Sequence, residues 1–130
     1  MFTIEQIKTA HSKVKSGADF PAYIKEMKTL GVQRYEHFVA DGHIQYYGSD
    51  GFTIAAGAKW PPVAVAEEGS KTGLQHALVI HQQGQTDYPT FCRQSATAGV
   101  EKWIVDMEKM ACTYYDKAGN MMVVEAIPAA

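Results

Sequence analysis

The segment HQQGQTDYPTFC, residues 81–92, gathers more chemistry-bearing side chains than any other stretch of the chain. His81, Gln82, Gln83, Gln85, Asp87 and Tyr88 place donors, acceptors and a titratable ring around Gly84, and polar loops held by rigid elements are common places for recognition. The competing role is a corner, because Asp87 and Thr86 carry the oxygens that accept from free N–H groups at a helix start. Trp60 is the other candidate. It precedes Pro61 and Pro62, and a stiff extended loop presenting a tryptophan suits partner binding unless the ring closes over the core. Trp60, His81, Gln85, Asp87 and Tyr88 are therefore the binding candidates, for a protein or small-molecule partner, with a homodimer among the assemblies they admit.

No nucleophile elbow, zinc-protease helix, phosphate-binding loop or dinucleotide fingerprint occurs. The alternative to binding is a small enzyme in which His81 activates Cys92, since a neighbouring imidazolium lowers a thiol pKa. Cys92 falls on an apolar stripe with Phe91 and Ser95, however, where a free cysteine behaves as a small hydrophobe. No catalytic residue is assigned. His37 and His43 flank Asp41 but face opposite sides of a strand pair, and His76 and His81 are badly spaced on a helix, so no metal site is expected and no cofactor with it.

The elements that must position these groups follow from periodicity. Thr3 and Gln6 form a capping box for a helix carrying Ile4, Ile7, Ala10 and Val14, which Gly17 would end. Asp19 and Pro21 open a second helix with Phe20, Tyr23, Ile24, Met27 and Leu30 inward, stopped by Gly31. Period two then places Tyr35, His37 and Val39 on one strand face. A two-residue Asp41-Gly42 turn would return the chain through Tyr46 and Tyr47, with Val39 opposite Ile44 and His37 opposite Tyr46. YYGSDG at 46–51 and YYDKAG at 114–119 are read as hairpin corners, six shared residues being thin support for a duplication. Ser70 or Thr72 caps a helix through Leu74, Ala77, Leu78 and His81; Asp87 and Pro89 open another through Phe91, Cys92, Ser95 and Ala96, ending before Gly99. Val100 to Met107 reads as a further helix, and Met110–Tyr115 and Met121–Ile127 as strands.

At 130 residues, 46% hydrophobic and 20% charged, the chain is expected to form one globular domain over residues 1–130. A net charge of -2 without a basic run removes the general attraction that drives nucleic-acid binding. No window approaches the apolar length of a membrane span, and the amphipathic opening MFTIEQIKTAHSKVK lacks a secretory apolar run, so a cytoplasmic protein with reduced Cys92 and Cys112 is expected.

FTIEQIK, GVEKW and CTYYD, in that order and with the YEHFVADGHIQYYG hairpin between them, resemble the YdfO/YbcV-like family of small bacterial proteins along essentially the whole chain. The family is a domain of unknown function whose members are often prophage-encoded, some relatives carrying the label "phage envelope protein". The resemblance implies an α+β fold in which helices pack on a mainly antiparallel sheet, consistent with the N-terminal helical hairpin and the two β-hairpins read above, and it transfers no catalytic residues. The combined reading is a prophage-associated binding or interaction module, with a small Cys/His enzyme or a phage structural component as alternatives.

Overall fold

The computed structural model describes residues 2–14 and 19–128. Its first helix, α1 (Ile4–His11), starts on the expected capping box: the Thr3 hydroxyl accepts from the Gln6 amide at 3.2 Å, and the Thr3 amide donates to the Gln6 side chain at 2.9 Å. It closes at Ser12, so Val14 lies past its end, and Gly17 lies outside the described residues. α2 (Phe20–Leu30) begins with Pro21 in its first turn and stops at Gly31, whose φ of 103° favours glycine. Asp19 holds the position before α2, but its backbone is helical rather than extended and its side chain makes no capping bond, contrary to the expected role. The two helices form the expected hairpin, tied by a Lys13–Glu26 ion pair at 2.9 Å.

Three strands follow, β1 (Arg34–Phe38), β2 (Ile44–Tyr47) and β3 (Thr53–Ala56), then α3 (Lys71–Gln82) and α4 (Tyr88–Thr97), then β4 (Val100–Asp106), β5 (Ala111–Asp116) and β6 (Met121–Ala126). Ser70 and Asp87 cap α3 and α4 through their side chains. The strands make one antiparallel sheet in the order β3-β2-β1-β4-β5-β6. The protein is thus α+β, with two three-stranded meanders where two hairpins were expected. Alternation along the strands buries Tyr35, His37, Ile44, Tyr46, Trp103, Val105, Cys112 and Tyr114 on one face, under helical core residues such as Ile24, Met27, Leu74 and Phe91.

Two expectations fail here for identifiable reasons. Val100–Asp106 is strand, not helix, and Met107 opens the turn after it: the core takes Trp103, Val105 and Met107 in steps of two, while Ile104 joins the opposite face. Trp103, Ile104 and Met107 would share one face of a helix, but partners on both edges of β4 make it a strand, in which Ile104 leaves that stripe and Val105 joins it. The β1–β2 register is displaced by two residues, His37 facing Ile44 and Tyr35 facing Tyr46, because the loop has four residues, Val39 to Gly42. Val39 leaves the hairpin to donate its amide to Glu101 and is wholly buried. An even displacement keeps every side chain on its expected face.

The tyrosine doublets prove to be part of a longer repeat. From the start of α2 onward the halves correspond at a constant spacing of 68: Asp19-Phe20-Pro21 with Asp87-Tyr88-Pro89, Gly31-Val32 with Gly99-Val100, Tyr46-Tyr47 with Tyr114-Tyr115, and Gly51 with Gly119. At the first helices the spacing is 67, Thr3 matching Ser70 as helix caps. Backbone conformation repeats as well: Gly31, Gly42 and Gly51 have positive φ, and so do Gly99, Met110 and Gly119. The β1–β4 ladder is symmetric under the same correspondence, with Arg34 opposite Asp106 and Phe38 opposite Lys102 about the pair Glu36 and Ile104. Each half is therefore an ααβββ unit, and the reading of the doublets as corners alone is replaced by a duplication.

Equivalent glycines should respond differently to one methyl group. A Cβ at Gly31 meets nothing nearer than Phe2 at 4.0 Å, whereas one at Gly99 would lie 2.5 Å from the Glu68 carbonyl oxygen. Gly31→Ala should cost about 1–2 kcal/mol for its positive φ alone, and Gly99→Ala about 3 kcal/mol or more, by urea denaturation.

Candidate functional site

β1 and β4 run side by side at the centre of the sheet, and their register sets His37 opposite Trp103 on the helix face. The rings stack at 4.1 Å between centroids and 10° between planes. α4 begins over this pair because Asp87 caps it, the Thr90 amide donating to Asp87 Oδ1 at 2.8 Å, which fixes Tyr88 in the first turn. The Tyr88 hydroxyl meets His37 Nε2 in a hydrogen bond, and the two rings stand edge to face at 5.5 Å. Trp60 closes a third side, 6.4 Å from His37 and 6.2 Å from Tyr88 between centroids.

Trp60 is held by the β1–β2 loop. Its indole N–H donates to the Ala40 carbonyl at 3.1 Å, and the amides of Lys59 and Trp60 both donate to the Asp41 carbonyl. The ring lies directly on Gly42, where a Cβ would stand 2.8 Å from it. Lys59 ends in an ammonium that donates to the Gly42 carbonyl at 3.2 Å. Lys59 is exposed as a residue, yet its charged end is enclosed enough that burial lowers its pKa.

His37 is 2% exposed, and its Nδ1 is buried without a hydrogen-bond partner. Burial first, and the nearby Lys59 charge second, press its pKa down to about 3, so the ring is neutral at physiological pH. Leaving one buried nitrogen unpaired costs about 1–3 kcal/mol. The position equivalent to His37 in the second half is Val105, and the residue equivalent to Tyr88 is Phe20. The fold thus accepts apolar residues at both places; the polar pair joins the two halves, His37 coming from the first and Tyr88 from the second.

Of the residues singled out by sequence, Trp60 and Tyr88 meet at this site. His81 lies one ring behind: it stacks on Phe91 at 4.6 Å, Phe91 touches Trp103 at 5.6 Å, and His81 Nδ1 pairs with Thr86. Gln85 is exposed and bonds Gln83, and Asp87 is an exposed helix cap, so both serve the corner. The thiolate pair considered for Cys92 is not formed, since His81 bonds Thr86 and burial pushes the Cys92 thiol up to about 12. Cys92 and Cys112 are free and buried. Among the described residues no three histidine, cysteine or acidic side chains converge as metal ligands, and no helix is long and apolar enough to cross a membrane. Sequence reasoning missed His37, Trp103 and Lys59 as site residues. The available signal was a histidine on the apolar face of a strand, between Tyr35 and Val39.

A family model described as a protein of unknown function, DUF1398, matches residues 8–126. An uncharacterized protein of Escherichia coli K12, YcgX, is 19% identical over 115 residues, covering 88% of this chain and 86% of that protein. Uncharacterized proteins of Mycobacterium bovis (Mb2035) and Mycobacterium tuberculosis (Rv2012) are each 38% identical over 53 residues, which is 41% of this chain but 32% of theirs.

Two outcomes are expected at the site. Because the folded pKa of His37 lies below the unfolded value of 6.5, the unfolded chain binds the extra proton between those values. Stability should fall as pH drops from 6.5 towards about 3, by roughly 1 kcal/mol per unit from this group, and His37→Val should flatten that part of the profile in pH-dependent denaturation. Gly42→Ala should push Trp60 off its seat and shift the tryptophan emission maximum while circular dichroism keeps the sheet signal.

Proposed function

The chain belongs to the DUF1398 family of proteins of unknown function, and from the geometry above we propose that it is a non-enzymatic binding module whose recognition site is the aromatic cluster of His37, Trp60 and Tyr88. The observation that carries this reading is the buried imidazole with an unpaired Nδ1 beneath two half-buried rings, where the equivalent positions of the duplication, Val105 for His37 and Phe20 for Tyr88, are apolar. Such a site offers flat apolar surface and a few polar atoms, which is the composition of small-molecule sites.

Proton-transfer chemistry is the weaker reading. A general base works best with a pKa near the operating pH, and a histidine at about 3 is far from it. A thiol at about 12 is equally far from a nucleophilic thiolate. The YdfO/YbcV-like grouping, the prophage association and a cytoplasmic setting belong to the same proposal, supported by the FTIEQIK, GVEKW and CTYYD resemblance.

Native mass spectrometry tests the binding role. Protein incubated with the small-molecule fraction of its host should retain an added mass, and Trp60→Ala should lose it while its melting temperature stays within a few degrees of the parent. An apo mass for the parent under every condition would overturn a small-molecule role.

A further inference from the structure

Lys59 precedes Trp60 at the edge of the aromatic cluster; the residue is exposed, and its ammonium makes a part-buried hydrogen bond to the Gly42 backbone carbonyl. Among the described residues it takes part in no ion pair; the lysines that do are Lys13, Lys102 and Lys117. Asp41, whose carbonyl accepts from the Lys59 amide, has its carboxylate engaged by His43, whose Nδ1 lies 2.5 Å away and whose amide donates to it at 3.0 Å. A partly desolvated cation without a counter-charge is an unfavourable arrangement unless something supplies the anion.

Resting on the binding role proposed above, we infer that the ligand is a small aromatic carboxylate, its ring laid against Trp60 and Tyr88 and its charge set on Lys59. The half-buried faces of Trp60 and Tyr88 favour a flat ring over an aliphatic chain. One ammonium matches one negative charge, whereas a phosphate dianion calls for the paired donors of an arginine fork or for several cations. The carboxylate also restores at Lys59 the charge balance that Asp41, turned to His43, does not provide. His37 stays neutral beneath and orients Tyr88 through the Nε2–hydroxyl bond.

The test compares acids with their neutral isosteres: benzoate with benzamide, and indole-3-carboxylate with indole-3-carboxamide, by calorimetry and tryptophan fluorescence on the parent, Lys59→Met and Trp60→Ala. A charged hydrogen bond in a partly enclosed site contributes enough for the acids to bind about ten-fold or more tightly than the amides. Lys59→Met should bring the acids down to the amides' affinity and leave the amides unchanged. Equal binding of acid and amide, lost in Trp60→Ala, would overturn the carboxylate and keep the planar-ligand site. Binding of neither pair to the parent would overturn both the carboxylate and the site as a home for planar small molecules.

Discussion

The antiparallel ladder between β1 and β4 is the constraint on which the rest of the molecule depends. It joins two three-stranded meanders into one sheet and does so symmetrically about Glu36 and Ile104. On the outer face it brings Lys102 to within 2.7 Å of Glu36, whose carboxylate also accepts from the Tyr47 hydroxyl at 2.5 Å. On the inner face it sets His37 against Trp103. Individually such hydrogen bonds contribute only about 0.5–1.5 kcal/mol each. The larger gain is that one continuous face lets four helices share a core, which neither half could enclose alone.

Duplication separates what the fold requires from what it tolerates. Both halves keep the helix-opening Asp-x-Pro, the glycine that ends the second helix, the valine after it, and the tyrosine doublet of the second strand. Those are the residues of capping, positive φ and hairpin corners, where physical alternatives are few. The halves diverge where packing alone decides: His37 against Val105, Tyr88 against Phe20, Cys92 against Ile24, Trp103 against Tyr35. Two of these four exchanges, at His37 and Tyr88, create a side-chain hydrogen bond in the inner aromatic cluster. The exchange leaves His37 Nδ1 buried without a partner, a cost that valine at the same place would not carry.

Local chemistry made much of the chain legible in sequence. The capping box at Thr3, the prolines at 21 and 89, and the glycines at 31 and 99 mark helix ends through backbone geometry, which neighbours in sequence determine. β4 was not legible, because Trp103, Ile104 and Met107 suit a helix face, and only pairing with the flanking strands selects the alternation that buries Trp103 with Val105. The site was half legible for the same reason. Trp60 and Tyr88 stand out by residue type, but their meeting over His37 depends on a contact between residues 51 positions apart, and no local pattern encodes it. Gln85 and Asp87 drew attention by the same polarity that makes them good corner residues.

The directions of the titrations at the site complete the physical picture. Burial holds His37 unprotonated, Cys92 protonated and the neighbouring core tyrosine Tyr114 as a phenol, so each group is driven to its neutral form. Neutral groups packed ring on ring neither give nor take protons readily near pH 7, but they hold a fixed shape and a fixed hydrogen-bond pattern. Lys59, at the rim, departs from this rule: burial pulls its pKa down, but its ammonium has a carbonyl rather than a carboxylate beside it. The cluster thus joins neutral, packed rings to one cation at its edge, and it forms where the two halves of the duplication meet, His37, Lys59 and Trp60 coming from the first and Tyr88 from the second.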